Sequence, residues 1–255
     1  MSKDTPPPKV DSTLSKGLAI LENLACSSNA KGVTELSREL GLTKSNAFRL
    51  LQTLKQLGYV RHGSDKRYSA TLKTWQMGRF AVDNLNLRDF AMPEMNQLSR
   101  LTGEAIYLAV PDNLSVIYIH KIDGLKPIRS WNQIGGSAPM HCVGTGKAIL
   151  AANYEKLRES VKHSLVKYTD NTIIAIEALD TDMEVTGRLG YAVDKGEYRE
   201  RILSFGSAVE LPDEGAIAAL GISLPEVNLP DNGEKKLGEL LLTAANSVSA
   251  KLMER

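Results

Sequence analysis

The sequence predicts an α+β protein in which an N-terminal winged helix-turn-helix is joined by a helical linker to a larger α+β domain. Two patterns lead to this prediction. Three amphipathic helical segments precede a hairpin pattern before residue 72, and strand-like runs flanked by helices fill the chain after residue 103. The 255 residues fit one large domain or two modest ones. With 42% hydrophobic and 24% charged residues, the composition excludes collagen-like and wholly disordered chains.

Charge is distributed unevenly along the chain. Residues 1–75 carry 12 Lys and Arg against 6 Asp and Glu, a net charge of +6. Residues 76–255 carry 19 against 24, a net charge of −5, so the total of +1 conceals two parts of opposite sign. A basic N-terminal part on an acidic body indicates that this part contacts a polyanion.

The ends and the cysteines exclude several classes of protein. Residues 1–11 are rich in proline and polar side chains, and we expect this tail to lack order. The chain has neither a run of about 18 apolar residues nor an apolar signal-peptide core, so we expect a cytoplasmic protein that does not contact membranes. Cys26 and Cys142 lie far apart, which argues against stapling disulfides and structural zinc. We expect no metal and no cofactor.

Three helices are predicted before residue 58. Leucines recurring at spacings of three and four residues place the first helix over residues 12–25. Thr34 is a suitable N-cap for a short second helix, which stops at Gly41. Thr43 is a further N-cap and opens the third helix, which Gly58 ends as a left-handed C-cap.

A β-hairpin follows the third helix directly. Residues 59–62 and 67–71 have the composition of two short strands, and the polar segment 63–66 between them is a turn. Three helices followed by a hairpin are typical of a winged helix-turn-helix. We assign this domain to residues 12–72.

The remainder of the chain alternates between helical and strand-like patterns. We interpret residues 73–89 as a linker helix and residues 90–255 as the second domain. Helices are predicted over residues 88–102, from about Gly144, and over 154–163, 177–189 and 234–254. Strands are predicted over residues 105–110, 115–120, 128–132, 191–195, 205–211 and 216–224. Such a mixture predicts an α+β domain.

The outer face of the third helix has the composition of a DNA-reading surface. Hydroxyl and ammonium groups bind phosphates, and Asn, Gln and Arg side chains match the hydrogen-bonding edges of bases in the major groove. The alternative, an ordinary solvated helix face, is less consistent with a basic hairpin beside the same helix. The candidate DNA-binding residues are Arg38, Lys44, Ser45, Asn46, Arg49, Gln52, Arg61, Lys66 and Arg67, with Thr53 and His62 beside them.

A glycine-containing turn at residues 142–147 leads into a predicted helix. Free backbone amides at Gly144, Thr145 and Gly146 would suit a carboxylate, because the first amides of a helix have no partner within the helix. A purely structural Gly-x-Gly turn is the alternative. The full phosphate-loop pattern is missing here.

Five segments in this order resemble the IclR (isocitrate lyase regulator) family of bacterial transcription factors. They are residues 36–54, the wing strand at Tyr68, and residues 136–150, 190–194 and 218–223. The resemblance extends over residues 12–254. It implies a C-terminal GAF/PAS-like domain that binds a small organic-acid effector, and dimers or tetramers on double-stranded operator DNA.

The resemblance also implies an effector pocket. Contacts would come from Gly144, Thr145, Asp194, Ser204, Gly221 and Ser223, and lining residues would be Ser130, Ala138 and Met140. The family often has Cys at the position of Ser204 and Ser at that of Gly221. The missing side chain at Gly221 would enlarge the cavity and favour a bulkier, aromatic or hydroxylated acid, unless neighbouring side chains refill the space. Asp194 has an alternative role, as a cap of the following turn.

Two other classes of function remain open from the sequence. A constitutive DNA-binding protein whose C-terminal domain only oligomerises would carry the same motifs. An enzyme acting on a small carboxylate would need a convergent catalytic set. Adjacent His141 and Cys142 do not form one, because neighbours in a strand point to opposite faces. We therefore expect no enzyme. The effector, the operator, the sign of regulation and the choice between dimer and tetramer stay undetermined.

Overall fold

The computed structural model describes residues 11–83, 86–128 and 132–254. The chain divides into two compact units, Met1–Asn84 and Leu85–Arg255. Most of the predicted tail lies outside the described residues. Its last residue, Asp11, caps the first helix by accepting hydrogen bonds from the amides of Thr13 and Leu14, at 3.0 and 2.8 Å.

The N-terminal unit is a winged helix-turn-helix, which confirms the predicted fold. Three helices precede a two-stranded antiparallel hairpin, and a fourth helix follows it. These elements are α1 (Ser12–Ala25), α2 (Val33–Glu39), α3 (Lys44–Gln56), β1 (Val60–His62), β2 (Tyr68–Ala70) and α4 (Lys73–Asp83). Their core is a single cluster to which α1, α2, α3 and the hairpin all contribute, centred on Ile20, Leu36, Leu51 and Tyr68.

Capping residues position the second and third helices. Thr43 caps α3 as predicted, because its hydroxyl accepts a hydrogen bond from the amide of Asn46 at 3.2 Å. The prediction for α2 was wrong by two residues: Thr34 lies inside the helix, and its N-cap is Gly32. The carboxylate of Glu35 accepts from the Gly32 amide at 3.4 Å and so caps this end.

The linker helix is shorter than predicted. Helix α4 ends at Asp83, and the next helix, α5 (Leu87–Thr102), begins directly after Asn86. Asn86 has a left-handed backbone, with φ of 51°, which a continuous right-handed helix cannot contain. Residues 87–89, which we assigned to the linker, belong to α5.

The C-terminal unit is an α+β domain built on one six-stranded antiparallel sheet, as predicted. The strands run in the spatial order β5-β4-β3-β8-β7-β6. Besides α5, its elements are β3 (Ala105–Asp112), β4 (Ser115–Ile122), β5 (Ser137–Pro139), α6 (Gly144–Ala152), α7 (Tyr154–Lys162), α8 (Ile176–Leu189), β6 (Ala192–Lys195), β7 (Ile202–Leu211), β8 (Gly215–Pro225) and α9 (Gly233–Met253). The strand predicted over residues 128–132 lies largely outside the described residues, and the sequence reading missed β5.

Helices cover both faces of this sheet. Tyr107 of β3 packs in one core cluster with Ile149 and Leu150 of α6. Because successive strand residues face opposite sides, the buried neighbours Ile106 and Leu108 point the other way. Helices α5 and α9 pack against each other and contact β3 and β8. Helix α6 also contacts β6, β7 and β8, which form one half of the sheet.

Candidate functional site

The third helix presents a polar surface opposite its buried face. Ala47, Leu50, Leu51 and Leu54 are buried in the core of the N-terminal unit. Lys44, Ser45, Arg49 and Thr53 are exposed, and Asn46 is half-buried and accepts a hydrogen bond from the Arg49 guanidinium at 3.3 Å. The N-terminal half of α3 therefore offers a hydroxyl, an amide and two cations to a ligand, the set that reads and holds DNA.

Two predicted DNA-binding residues are instead engaged within the protein. The Gln52 amide donates to the phenol oxygen of Tyr68 at 3.0 Å, which directs it at the wing strand. The Arg67 guanidinium donates to the Ala30 carbonyl at 2.6 Å and to the Glu35 carboxylate at 2.7 Å. Arg67 thereby fastens the hairpin to α2. Sequence reasoning assigned both residues by type and position, and did not include these partners.

The other cations of the hairpin are exposed. Arg61 donates to the Ser69 hydroxyl at 2.9 Å, and His62 and Lys66 stand at the tip of the hairpin. Lys66 has a left-handed backbone in the turn, with φ of 60°. Arg38 is exposed in the last turn of α2. These side chains suit contacts to phosphates along a duplex.

In the C-terminal unit, five of the predicted effector residues line one cavity. They are Thr145, Asp194, Ser204, Gly221 and Ser223, and they come from α6, β6, β7 and β8. The cavity is also lined by residues that sequence reasoning missed: Tyr107, Tyr118, Asn132, Val143, Tyr198, Arg199, Ile202, Phe205 and Ile222. Tyr107 and Tyr118 look like ordinary strand residues in the sequence, and only the sheet order brings them to the pocket.

Two predicted lining positions fall elsewhere. Ala138 and Met140 are buried in the hydrophobic core on the side of β5, and neither is among the residues that line the cavity. Ser130 lies outside the described residues. The Gly144 amide is not free for a ligand carboxylate, because it donates to the Ser204 hydroxyl oxygen at 2.9 Å.

The first turn of α6 places Thr145 at the cavity. Helix α6 has no side-chain cap, so the Thr145 and Gly146 amides have no partner within the helix. The Thr145 hydroxyl is buried near the Tyr118 phenol, and it has no other hydrogen-bond partner among the described residues. Ser204 and Ser223 line the cavity from the neighbouring strands, and their hydroxyls donate to Asp194 at 2.7 Å and to the Leu203 carbonyl oxygen at 3.4 Å. Amides and hydroxyls at a helix N-terminus form a site for a carboxylate.

Asp194 is buried within this site and has its own partners. Its carboxylate accepts hydrogen bonds from the Ser204 hydroxyl at 2.7 Å and from the Glu197 amide at 2.6 Å. The second bond closes the turn after β6, which is the capping role considered as the alternative. Burial raises the pKa of Asp194 to about 6, although both hydrogen bonds oppose this shift. A neutral Asp194 can stand beside a ligand carboxylate.

The missing side chain at Gly221 does not enlarge the cavity at that point. A Cβ atom added there would lie 2.4 Å from the Thr145 methyl group. The threonine methyl thus occupies the space that we expected to be vacant. The expectation of a bulkier acid on this ground was wrong, since the neighbouring side chain refills the volume.

His141 and Cys142 form no catalytic pair. They lie in a single 3-10 turn rather than in the strand that we assumed. His141 Nε2 is 3.1 Å from the Val166 carbonyl oxygen, and the Cys142 thiol faces the Pro139 carbonyl. Burial raises the pKa of Cys142 and keeps it as a thiol. Within the described residues, no group of three His, Cys, Asp or Glu is placed to hold a metal ion.

A winged helix-turn-helix with an exposed basic face, followed by an α+β domain with a cavity lined by polar and apolar side chains, defines a DNA-binding regulator with a small-molecule sensor domain. Two family models agree with this class. Residues 13–64 match the IclR helix-turn-helix domain, and residues 79–250 match the bacterial transcriptional regulator IclR C-terminal domain. The chain belongs to the IclR family and is a transcriptional regulator with an effector-binding C-terminal domain.

Individual relatives support this assignment along the whole chain. The HTH-type transcriptional regulator KdgR of Escherichia coli K12 is 36% identical, over 98% of this chain and 95% of the relative. The crystal structure of Thermotoga maritima IclR superposes with a TM-score of 0.76 at 27% identity, covering 94% of this chain and 98% of that one.

A ligand-bound structure shares the fold. An IclR homologue from Microbacterium hydrocarbonoxydans, crystallised with 4-hydroxybenzoate, superposes with a TM-score of 0.82 at 22% identity, covering 96% of this chain and all of that one. Among the helices of the described residues here, none combines the length and hydrophobicity that a membrane span requires.

Proposed function

We propose that the C-terminal cavity binds a small carboxylic acid and that this binding controls the affinity of the N-terminal unit for an operator. The observation that carries the proposal is the buried Thr145 hydroxyl, which lines the cavity in the first turn of α6. The homologue crystallised with 4-hydroxybenzoate supports an acid as ligand. The hydroxyls and phenols lining the cavity favour an acid that itself carries a hydroxyl.

The proposal is tested by thermal unfolding against a panel of aliphatic, hydroxylated and aromatic acids. A ligand that binds only the folded chain raises the Tm by mass action. We expect a selective shift that Ser223→Ala reduces, because Ser223 lines the cavity. Ser207→Ala is the matched control, since this buried serine donates to the Gly190 carbonyl and does not line the cavity. A shift that is equal in all three proteins would refute the site.

The N-terminal half of α3 is proposed to read DNA in the major groove, with the hairpin along the backbone. The contacts would come from Arg38, Lys44, Ser45, Asn46, Arg49, Arg61 and Lys66. Operator sequences can be selected from a random duplex library, and affinities then measured by fluorescence anisotropy. Arg49→Ala should weaken binding by about 1–3 kcal/mol. Lys55→Ala, a cation on another side of the same helix, should have little effect. Unchanged binding by Arg49→Ala would reject this placement.

The protein is also proposed to be a homodimer formed through the N-terminal unit. Exposed apolar side chains cluster there: Trp75 and Phe80 on α4 are 60% and 69% exposed, and Leu14 and Leu18 on α1 are also exposed. Light scattering should show a dimer, or a tetramer built from it, that Trp75→Glu converts to smaller species. Ile174→Glu, at an exposed apolar position of the other unit, is the control.

Its relatives are regulators, and the proposed role requires no catalysis. We propose that the chain is not an enzyme, against the alternative of an enzyme acting on a small carboxylate. If nuclear magnetic resonance showed that the protein converts a Tm-shifting acid to a product, the proposal that it is not an enzyme would be wrong. Because the DNA target lies in the bacterial cytoplasm, the proposal places the protein there as well.

A further inference from the structure

Helix α6 carries a buried cation two residues after Thr145, which lines the cavity. Lys147 lies in the first turn of α6, and only 1% of it is exposed. Its ammonium group is 2.6 Å from Glu197 Oε1, 3.0 Å from Asp182 Oδ2 and 2.7 Å from the Val193 carbonyl oxygen. Burial disfavours the charge, but the two carboxylates more than offset this and raise the pKa of Lys147.

This ion pair closes a ring of contacts around the proposed ligand-binding groups. Lys147 follows Gly144 by one helical turn, and the Gly144 amide donates to Ser204. The Ser204 hydroxyl donates to Asp194, which accepts from the Glu197 amide. The Glu197 side chain then returns to Lys147. The ring joins the first turn of α6 to the turn after β6 at two points.

We propose that Lys147 and Glu197 are positioning residues for the effector: they fix the distance between the α6 amides that bind the acid and the Asp194 carboxyl that faces it. This inference rests on the proposed function. Stability alone does not account for such a pair, because well-packed apolar residues in place of a buried ion pair are often as stable or more so. The pair adds a second polar connection, besides Ser204, between two elements that also pack against each other.

The charges around the pair determine how a test must be designed. Lys147 faces Glu197, Asp182 and, at longer range, Asp194 and His141, while Tyr118 and Cys142 are neutral groups near Asp194. Removing Lys147 alone leaves buried carboxylates without their cation. The informative variant therefore removes both charges of the pair and keeps the volumes: Lys147→Met with Glu197→Gln.

The matched control is another partly buried ion pair, which joins α5 to α9. Lys251 of α9 lies 2.7 Å from Glu94 of α5, and neither lines the cavity. The control variant is Lys251→Met with Glu94→Gln. Both double variants and the wild-type chain are assayed for unfolding free energy and for affinity toward the acid found in the thermal panel.

We expect the Lys147/Glu197 variant to fold and to lose about 10-fold or more in acid affinity, as when a residue that orients a ligand-binding group is lost. The control variant should keep its affinity. The single variant Lys147→Met supplies a further readout: without the cation that favours ionised Asp194, acid affinity should persist to higher pH than in the wild type.

Other results would reject the inference. A folded Lys147/Glu197 variant with wild-type acid affinity would show that the pair does not position the site. Equal losses of affinity in both double variants would indicate a general loss of stability. If the wild-type chain binds none of the acids, the proposed function itself fails, which the wild-type measurement reveals separately.

Discussion

Burial makes the folded state favour the protonated form of Asp194, which is also the form that a bound carboxylate favours. A carboxyl with a pKa raised from 3.8 to about 6 is protonated in the folded chain at a pH where the unfolded chain has already released its proton. The folded state then holds more protons, so its stability falls as the pH rises from about 4 to about 6. Above that range the ionised carboxylate stays buried at a cost of about 2–3 kcal/mol.

Asp194→Asn should remove this dependence. We expect the unfolding free energy of the variant, relative to the wild type, to increase by about 2 kcal/mol between pH 4 and pH 7. Chemical denaturation across this range measures the difference. Asp213→Asn, at an exposed position, is the control. Parallel curves for the wild type and Asp194→Asn would show that Asp194 titrates normally.

The contact between Gly221 and Thr145 is a second residue-scale test. Gly221→Ala should lower the unfolding free energy by about 1–3 kcal/mol, because the new Cβ meets the threonine methyl at 2.4 Å. Adding Thr145→Ser, which deletes that methyl, should restore most of the loss. Denaturant unfolding of the two single variants and the double variant gives the coupling energy. Additive effects would mean that the two positions are independent.

Lys66 and Arg67 are adjacent cations with different expected roles. Lys66→Ala should weaken DNA binding and reduce the slope of log affinity against log salt by about 1, as expected for one phosphate contact. Arg67→Ala should instead lower the thermal stability of the N-terminal unit, because it removes the bonds to Ala30 and Glu35. Each variant is the control for the other. If both variants changed DNA binding and thermal stability to the same extent, Lys66 and Arg67 would not have different roles.

At the scale of elements, α6 can sit above the cavity because glycines let it approach β7. A Cβ atom at Gly206 would lie 2.1 Å from the Gly144 carbonyl oxygen, and backbone atoms cannot yield as a flexible side chain can. Gly206→Ala should therefore cost about 3 kcal/mol or more of unfolding free energy. Gly187→Ala, in the open on α8, should stabilise by up to about 1 kcal/mol. If Gly187→Ala lost stability and Gly206→Ala did not, the close packing of α6 on β7 would be contradicted.

Helices and long strands of this chain could be predicted because their signals are local. Leucine spacing located α1, Thr43 and Gly58 delimited α3, and runs of β-branched residues located β3 and β4. The three-residue strand β5 has no such signal, since its pairing with β4 is a tertiary contact. The intramolecular contacts of Gln52 and Arg67 could not be predicted either, because their partners, Tyr68 and Glu35, lie 16 and 32 residues away in the sequence.

The pocket was predictable only in part. The glycines in the first turn of α6 predicted a carboxylate site there, which stays a prediction, and the family resemblance supplied Asp194 and Ser204. Tyr107 and Tyr118 could not be placed there, because their side-chain direction depends on how the sheet is ordered. The buried pair of Lys147 and Glu197 was not foreseen either, since lysine in a helix is ordinarily exposed.

For the whole molecule, control of DNA binding by an acid requires that the two binding events be coupled. If the acid changes operator affinity by some factor, the operator must change acid affinity by the same factor. We expect a factor on the order of 5 to 150. Acid affinity measured by calorimetry with and without saturating operator tests this equality. Equal acid affinity in both states would indicate a constitutive DNA-binding protein.

The close contact between Gly221 and Thr145 also affects the order in which related regulators can change these two residues. A lineage that gains a hydroxymethyl group at 221 first is destabilised, because the new side chain meets the threonine methyl. A lineage can instead lose that methyl first, at a cost of about 1 kcal/mol that a stable fold tolerates. Changes of ligand preference through this pair are therefore expected to be acquired in one order, with position 145 changing before position 221.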